Sequence, residues 1–186
     1  FELRKKTLPS FEAIEQFYLG AWRDVGFKDA YQEEAYKEAG LGQLREFVAR
    51  QNSVRIFPEG VRTEESFKLD LGEVVLEGRI DQINPLGVPG DLSVELVDYK
   101  TGRPQSQKDA DRSLQLSIYA LGAREQLGLK PARLTFYNLA SNQPVSTLRT
   151  ARDLDKAVEE IHEVASQIRR MAFHPTPGFV CKYCDY

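Results

Sequence analysis

The chain has 186 residues, 41% hydrophobic and 28% charged, a composition typical of a globular protein with one core. No apolar run is long enough to cross a bilayer, so we expect no membrane-spanning segment in this sequence. The formal net charge of -3 and the isoelectric point near 5.6 argue against a protein that coats nucleic acid with a uniformly basic surface. They leave room for a local basic channel.

The cysteine content and the N-terminal residues bear on location. The two cysteines lie together as Cys181-x-x-Cys184, which is too little for a disulfide framework. No charged segment followed by an apolar one resembles a secretory signal. We therefore expect a protein of the reducing cytoplasm. Because the chain opens with Phe1 rather than Met, we also expect a fragment of a longer protein.

The first part of the chain predicts two helices that add bulk and carry no chemistry. Apolar residues recur at helical spacing from Ser10 to Phe27, with Ser10 as the N-cap. A second helical stretch runs from Tyr31 to Arg50, with an expected break or bend near Gly40 and Gly42. Residues 1–53 are therefore interpreted as a helical part.

Strand patterns follow. Alternating residues over 67–71, a turn at 72–73 and a second apolar stretch over 74–83 predict a hairpin. After a loop rich in proline and glycine, residues 93–100 alternate again. They predict the third strand of a meander.

The second half predicts four more elements. They are a helix over 109–127 stopped by Gly128, strands over 133–139 and 144–148, and a final helix over 153–171. This order predicts one α/β domain in which helices flank a mixed sheet of four to five strands. We assign its core to residues 54–150, and a C-terminal helix with the cysteine tail to residues 151–186.

Three charged residues on the predicted hairpin and third strand carry the chemistry. Asp98 and Lys100 stand two apart on a strand, so their side chains leave the same face. A carboxylate there can ligate Mg²⁺, and the ammonium can orient water and stabilise charge on a phosphate. Asp81, expected at the end of the preceding strand, adds a second carboxylate and completes a hard-oxygen metal site.

A plainer interpretation of the same residues stays open. Asp98 and Lys100 also suit a solvated ion pair, and Asp81 suits a residue that ends a strand. Against this, the charged pair ends a largely apolar strand, where burial without a cation is costly.

Several segments resemble the RecB-like branch of the PD-(D/E)xK nucleases. EGRIDQI, VELVDYKTGRP and LQLSIY resemble, in order and spacing, its GxxDxI, DYKTG and QxxxY motifs. FHPTPGFVCKYCDY resembles its C-terminal F-x-P-x-P-G-x-x-C-x-x-C-x-Y segment. The resemblance covers essentially the whole chain and extends in particular to nuclease domains fused to UvrD/Rep-type helicases and to AddB-like proteins. It implies a restriction-endonuclease-like core.

The resemblance also implies roles for single residues. Asp81 and Asp98 would bind a catalytic Mg²⁺ or Mn²⁺, with the backbone carbonyl of Tyr99 as a further ligand, and Lys100 would be the catalytic lysine. Glu64 begins a segment that resembles the family's E-x-x-F strand, which implies an acidic catalytic residue near the metals. A solvated position at the strand edge is the alternative for Glu64.

Gln115 and Tyr119 lie four apart and therefore share one face of the predicted helix. The resemblance implies that they hold the active site or the DNA strand. For Tyr119, packing in the core is the alternative. Gln115 is expected to have a specific hydrogen-bond partner, because it is an amide among apolar neighbours.

The chain also departs from its relatives. Gln82 stands where many have arginine. The metal-binding histidine of their upstream helix is also missing, either because the chain is trimmed before Phe1 or because the site lacks that ligand. Cys181 and Cys184 resemble two of the four cysteines that hold a [4Fe-4S] cluster, but both outer cysteines are missing. The pair is therefore the incomplete remnant of a cluster site, a CxxC without metal, or part of a zinc site with His174.

Together these features predict a metal-dependent deoxyribonuclease. We expect the C-terminal nuclease domain of a helicase-nuclease in DNA repair or recombination, acting on single-stranded DNA or duplex ends. Its helicase domain would lie in the same or a partner chain. Two alternatives are a catalytically inactive DNA-binding or scaffolding module of a helicase complex and a stand-alone RecB-like exonuclease.

Overall fold

The computed structural model describes residues 9–54, 60–88, 90–175 and 177–183. Its helices are α1 (Phe11–Ala21), α2 (Ala30–Val54), α3 (Gln107–Arg112), α4 (Leu114–Glu125), α5 (Ala151–Arg169) and a short 3₁₀ helix (Phe179–Tyr183). Its strands are β1 (Arg62–Asp70), β2 (Val75–Pro85), β3 (Ser93–Lys100), β4 (Lys130–Asn138) and β5 (Gln143–Thr147).

The five strands form one mixed sheet in the order β1-β2-β3-β4-β5. β1, β2 and β3 pair antiparallel as the predicted meander, β3 and β4 pair parallel, and β5 returns antiparallel to β4. A parallel pair needs a long crossover, and α3 and α4 provide it. The predicted α/β fold, a mixed sheet of four to five strands flanked by helices, is confirmed.

Helices cover both faces of the sheet. On one face α4 packs against the strands and against α5, around a core that includes Phe67, Ile80, Leu96, Leu116 and Leu134. On the other face, Phe47 of α2 meets the rings of Tyr99 and Tyr137 edge-on, with ring centroids 6.2 Å and 5.6 Å away. Successive residues of β3 therefore contribute to different layers.

The approach of α4 to the sheet depends on a glycine. The ring of Phe67 in β1 lies against Gly122, and a Cβ atom at Gly122 would overlap it. Phe67 also meets Tyr119 edge-on, with ring centroids 6.2 Å apart. This close packing fixes the height at which α4 presents its polar residues to the end of β3.

The predicted helix over 109–127 is wrong in one respect, because it is two helices that break at Ser113. Ser113 has an extended backbone, and its side chain caps α4 by accepting a hydrogen bond from the amide of Leu116 at 3.2 Å. Serine favours such a cap over a helix interior, because its hydroxyl satisfies a backbone N–H at a helix start.

The predictions for α1 and α2 also need correction. α1 ends at Ala21 rather than Phe27, because Trp22 turns away to stack on Phe27 and to donate a hydrogen bond to Glu33 at 2.9 Å. The predicted break near Gly40 and Gly42 is absent, and α2 continues through both. A Cβ atom at Gly40 would overlap the Tyr18 hydroxyl, so this glycine allows α1 to approach α2.

Among the described residues, no helix combines the length and the apolar character needed to cross a membrane.

Candidate active site

Asp98 and Lys100 lie at the C-terminal end of β3, on the sheet face that α4 covers. Asp98 is buried, with 3% of its surface exposed. Its neighbours on the same face of the strand are Leu96 and Lys100. Lys100 Nζ lies 2.7 Å from Asp98 Oδ2 and 4.9 Å above the ring of Phe136. The predicted pair is therefore an ion pair with a buried carboxylate, and not the solvated pair of the plainer interpretation.

Gln115, in the first turn of α4, links the two charged groups. Its Oε1 accepts a hydrogen bond from Lys100 Nζ at 2.8 Å, and its Nε2 donates to Asp98 Oδ1 at 2.8 Å. Tyr119, one turn later, donates from its hydroxyl to the same Oδ1 at 3.3 Å and accepts from Gln115 at 3.2 Å. The side chains of Asp98, Lys100, Gln115 and Tyr119 therefore form one hydrogen-bonded group, which we call the polar ring. Tyr119 belongs both to this ring and to the core.

Asp81 reaches the same place from β2. Asp81 directly precedes Gln82, which pairs with Val97 in the antiparallel ladder, and Asp98 directly follows Val97, so both aspartates stand one residue beyond the same ladder pair. Asp81 Oδ2 accepts a hydrogen bond from the Tyr99 amide at 2.8 Å. The structure therefore brings Asp81 to the end of β3 that carries Asp98 and Lys100.

The position of Asp81 within its strand differs from the prediction. We expected it at the strand end, but β2 continues to Pro85 and pairs with β3 as far as Val94. A proline that needs no ladder donor is tolerated at such a final position. On the other side of β2, Asp81 is not paired with Glu64 of β1. The residues directly before and after each of them are paired. Asp81 lies at this interruption of the ladder.

The electrostatics of the polar ring follow from burial. Desolvation raises the pKa of the Asp98 carboxyl above its ordinary value, the charge of Asp81 raises it further, and Lys100 and Tyr119 oppose the shift. Burial and the charge of Asp98 raise the pKa of Tyr119 to about 12, so its hydroxyl stays protonated and able to donate. Asp98 is therefore a carboxylate whose charge the protein stabilises only in part.

The sequence profile of the PD-(D/E)XK nuclease superfamily matches residues 2–186. The chain belongs to the PD-(D/E)XK nuclease superfamily. No curated protein matches it significantly.

Two solved structures are distantly similar to this one. A protein from Eubacterium rectale with the provisional name of exonuclease is 13% identical, with a TM-score of 0.47, over 98% of this chain and 75% of that one. The protein SSO0001 is 15% identical, with a TM-score of 0.40, over 93% of this chain and 92% of that one. At this distance neither structure adds to the family assignment.

The carboxylate oxygens of Asp81 and Asp98 are of the kind that a hard divalent cation binds. Asp98 Oδ2 is buried and makes no well-directed hydrogen bond among the described residues, with Lys100 Nζ as its close charged neighbour. No group of three or more histidine, cysteine or acidic side chains in the described part of the chain is arranged to hold a metal. Mg²⁺ commonly binds through one or two carboxylates and keeps several waters, so Asp81 and Asp98 fit it. The metal-binding roles of Asp81, Asp98 and the Tyr99 carbonyl stay predictions.

Glu64 lies at the surface of β1. Its side chain is exposed and forms a 2.7 Å ion pair with Arg79, an interaction at the solvated surface. Its backbone has a positive φ of 54°, which non-glycine residues adopt infrequently. The local distortion accompanies the break in the ladder opposite Asp81. The catalytic role of Glu64 stays a prediction.

The cysteine tail is described in part. Cys181 is exposed in the 3₁₀ helix, and its sulfur accepts a hydrogen bond from the Gly178 amide at 3.3 Å. Cys184 lies outside the described residues. His174, proposed as a zinc ligand, is exposed. The metal-binding role of this tail stays a prediction.

Sequence reasoning missed Arg149, which holds the junction between α3 and α4. Its guanidinium donates to the carbonyls of Ala110 and Ser113 at 2.8 Å and 3.0 Å, and to the hydroxyl of Ser117 at 2.8 Å. Carbonyls at a helix end have no partner within the helix, so this arginine satisfies them from outside. The junction it holds lies two residues before Gln115. A lone arginine after β5 has no local sequence signal for this role.

Proposed function

We propose that the chain is a metal-dependent deoxyribonuclease that hydrolyses phosphodiester bonds at the polar ring. The observation that carries the proposal is the convergence of Asp98 and Lys100 with Gln115 of α4, beside a second carboxylate from β2. Membership of the nuclease superfamily supports the same reaction. Substrate DNA would enter at the exposed side of the ring, where Lys100 and Gln115 reach solvent.

The residues of the ring have distinct tasks in this proposal. Asp81 and Asp98 would hold Mg²⁺ or Mn²⁺, which supplies Lewis-acid polarisation of the phosphate and acidifies water. Lys100 presents an ammonium that stabilises negative charge as it grows on the phosphate oxygens. Gln115 accepts from that ammonium and donates to Asp98, so it keeps the cation and the carboxylate at a fixed separation.

The substitution Lys100→Ala tests the proposal. Loss of one preorganised charge-stabilising group typically lowers a rate by about 10²- to 10³-fold, so we expect Mg²⁺-dependent cleavage of DNA to fall by that amount. Lys68→Ala is the matched control, because Lys68 forms an exposed 3.0 Å ion pair with Glu77 on β1 and β2. Circular dichroism checks that both variants fold. Wild-type cleavage rates in Lys100→Ala would contradict the assignment.

We extend the proposal to the whole protein and its setting. The motif resemblance supports a C-terminal nuclease domain of a cytoplasmic helicase-nuclease that acts on single-stranded DNA or duplex ends in repair or recombination. The complete gene tests this, because a helicase of this type needs a Walker motif G-x-x-x-x-G-K-[ST]. Its absence from the gene and from any partner would favour a stand-alone RecB-like exonuclease. A [4Fe-4S] cluster at Cys181 and Cys184 in the full protein stays a prediction.

A second candidate is a catalytically inactive module that binds DNA or serves as a scaffold. The observation that favours it is that Lys100 already neutralises Asp98 at 2.7 Å, so the ring is charge-balanced without a cation. Calorimetric titration with Mn²⁺ distinguishes the two candidates. The nuclease should bind Mn²⁺ and lose that binding in Asp81→Asn, whereas the inactive module should show no difference between the two proteins.

A further inference from the structure

A cleft of about 600 Å³ opens directly beside the polar ring. Lys100, Gln115 and Phe136 form one side of it, and α3 forms the other with Lys108, Asp109 and Arg112. The cleft therefore continues the exposed side of the ring along the surface. Two of its lining residues are members of the ring, so a molecule bound there would also touch the group that we propose to be catalytic.

The cleft is positively charged in a protein whose net charge is -3. Lys108 and Arg112 stand four apart on α3, so they lie on the same side of that helix. Both are exposed, and neither forms an ion pair among the described residues, whereas Lys68, Arg79 and Arg169 on other surfaces do. Like charges at this spacing repel each other weakly, and an anion that lies against both side chains would relieve that repulsion.

Among the described residues, the carboxylate of the cleft forms an ion pair with neither Lys108 nor Arg112. Asp109 Oδ2 accepts 2.8 Å hydrogen bonds from the amide and the hydroxyl of Ser106 in the capping box of α3. The same oxygen lies 3.5 Å from Arg103 Nη2, a cation that is largely exposed. Asp109 is therefore engaged by the N-terminal turn of α3 and by Arg103. The side chains of Lys108 and Arg112 stay available to an anion from solution.

We propose that this cleft binds the sugar-phosphate backbone of the nucleic acid strand next to the cleaved bond, with Lys108 and Arg112 each neutralising a phosphate. This inference rests on the proposed function, because it assigns the path that the substrate takes away from the polar ring. Cations on one helical face suit a row of phosphates, which carry no sequence information. The binding is therefore independent of base sequence and sensitive to salt.

The test measures binding of a fluorescent single-stranded oligothymidylate in EDTA, where no cleavage occurs, as a function of NaCl concentration. Each neutralised phosphate of a single strand adds about 0.7 to the slope of log affinity against log salt. The double variant Lys108→Gln/Arg112→Gln should therefore lose about 1.4 from the slope. Lys108→Arg/Arg112→Lys, which keeps both charges, should retain the wild-type slope.

A matched control removes two cations elsewhere. Arg124 and Lys130 line a separate cleft of about 270 Å³, and Lys130 pairs with Ser93, at the end of β3 opposite Lys100. The double variant Arg124→Gln/Lys130→Gln changes the net charge equally and should keep the wild-type slope. Equal slopes in the two glutamine variants would overturn the proposal, as would a wild-type protein that does not bind the oligonucleotide.

Failure of the proposed function gives a different result. A wild-type protein that binds DNA through Lys108 and Arg112 but cuts none with Mg²⁺ would leave the cleft assignment in place and contradict the nuclease assignment. If the wild-type protein cuts DNA and both glutamine variants have the same salt slope, the nuclease assignment stays in place and the cleft assignment is contradicted.

Discussion

Leu96 and Asp98 stand two residues apart on one face of β3, and both are buried, with 0% and 3% of their surface exposed. Leu96 meets an apolar core, whereas Asp98 meets Lys100, Gln115 and Tyr119. The first environment suits its side chain, but the second raises the pKa of Asp98 and so disfavours its charge. One strand thus serves stability at its centre and chemistry at its end, and the two residues should respond oppositely to substitution.

The largest expected effect is on activity, in Asp98→Asn. The variant removes a proposed metal ligand and leaves an oxygen acceptor in the ring, so cleavage should fall by at least about 10²-fold. Cleavage assays with Mg²⁺ and Mn²⁺ measure this. If Asp98→Asn retains wild-type activity, the chemical role of this end of β3 is wrong.

The same variant should reveal the cost of the buried charge. Because the folded pKa of Asp98 is raised, the folded protein binds this proton more readily than the unfolded chain does. The stability linked to that proton is present at low pH and is lost as the pH rises from about 4 through the folded pKa. In EDTA, the difference in unfolding free energy between Asp98→Asn and the wild type should therefore move in favour of the variant over this range. Urea unfolding at several pH values measures it.

Leu96→Ala provides the opposite case. Removing a fully buried leucine typically costs about 2–5 kcal/mol of unfolding free energy, so the urea midpoint should fall clearly at every pH. Substrate affinity and cleavage, measured well below the midpoint, should change far less than in Asp98→Asn. A Leu96→Ala protein of wild-type stability would contradict the comparison with Asp98, because it would show that Leu96 does not stabilise the core.

The sequence predicted some of these features and not others, for a physical reason. The bounds of β3, the hairpin and the pairing of Asp98 with Lys100 depend on alternation over a few residues, and the structure confirms them. A short local pattern is enough to specify which side of a strand faces a core.

Other features depend on contacts between distant segments. The break at Ser113 is held by Arg149, 36 positions later in the chain. Lys108 and Arg112 become a charged cleft wall only because the crossover places α3 beside the end of β3. Neither arrangement leaves a periodic signal in the sequence. The apolar pattern over 109–127 therefore predicted one helix and gave no sign of the break at Ser113.

Arg149→Met tests whether that junction matters to the site. Loss of its hydrogen bonds to Ala110 and Ser113 should let the start of α4 shift, and with it Gln115. We expect cleavage to fall by roughly tenfold, which corresponds to about 1.4 kcal/mol. A double-mutant cycle with Gln115→Ala identifies the route. If Arg149 acts through Gln115, its substitution should cost little in the Gln115→Ala background, whereas full additivity would indicate a purely structural role.

The smallest expected effect comes from an aspartate in the opposite electrostatic setting. Asp153 belongs to the capping box of α5, and hydrogen bonds from the Thr150 hydroxyl and amide lower its pKa. A lowered folded pKa means that Asp153 contributes stability above the unfolded pKa and loses it as the pH falls through the folded value. Asp153→Asn should therefore lower the thermal midpoint slightly at pH 7 and leave it unchanged near pH 2. Asp98→Asn should show the opposite trend with pH, and two variants with the same trend would mean that burial at the end of β3 does not disfavour the charge of Asp98.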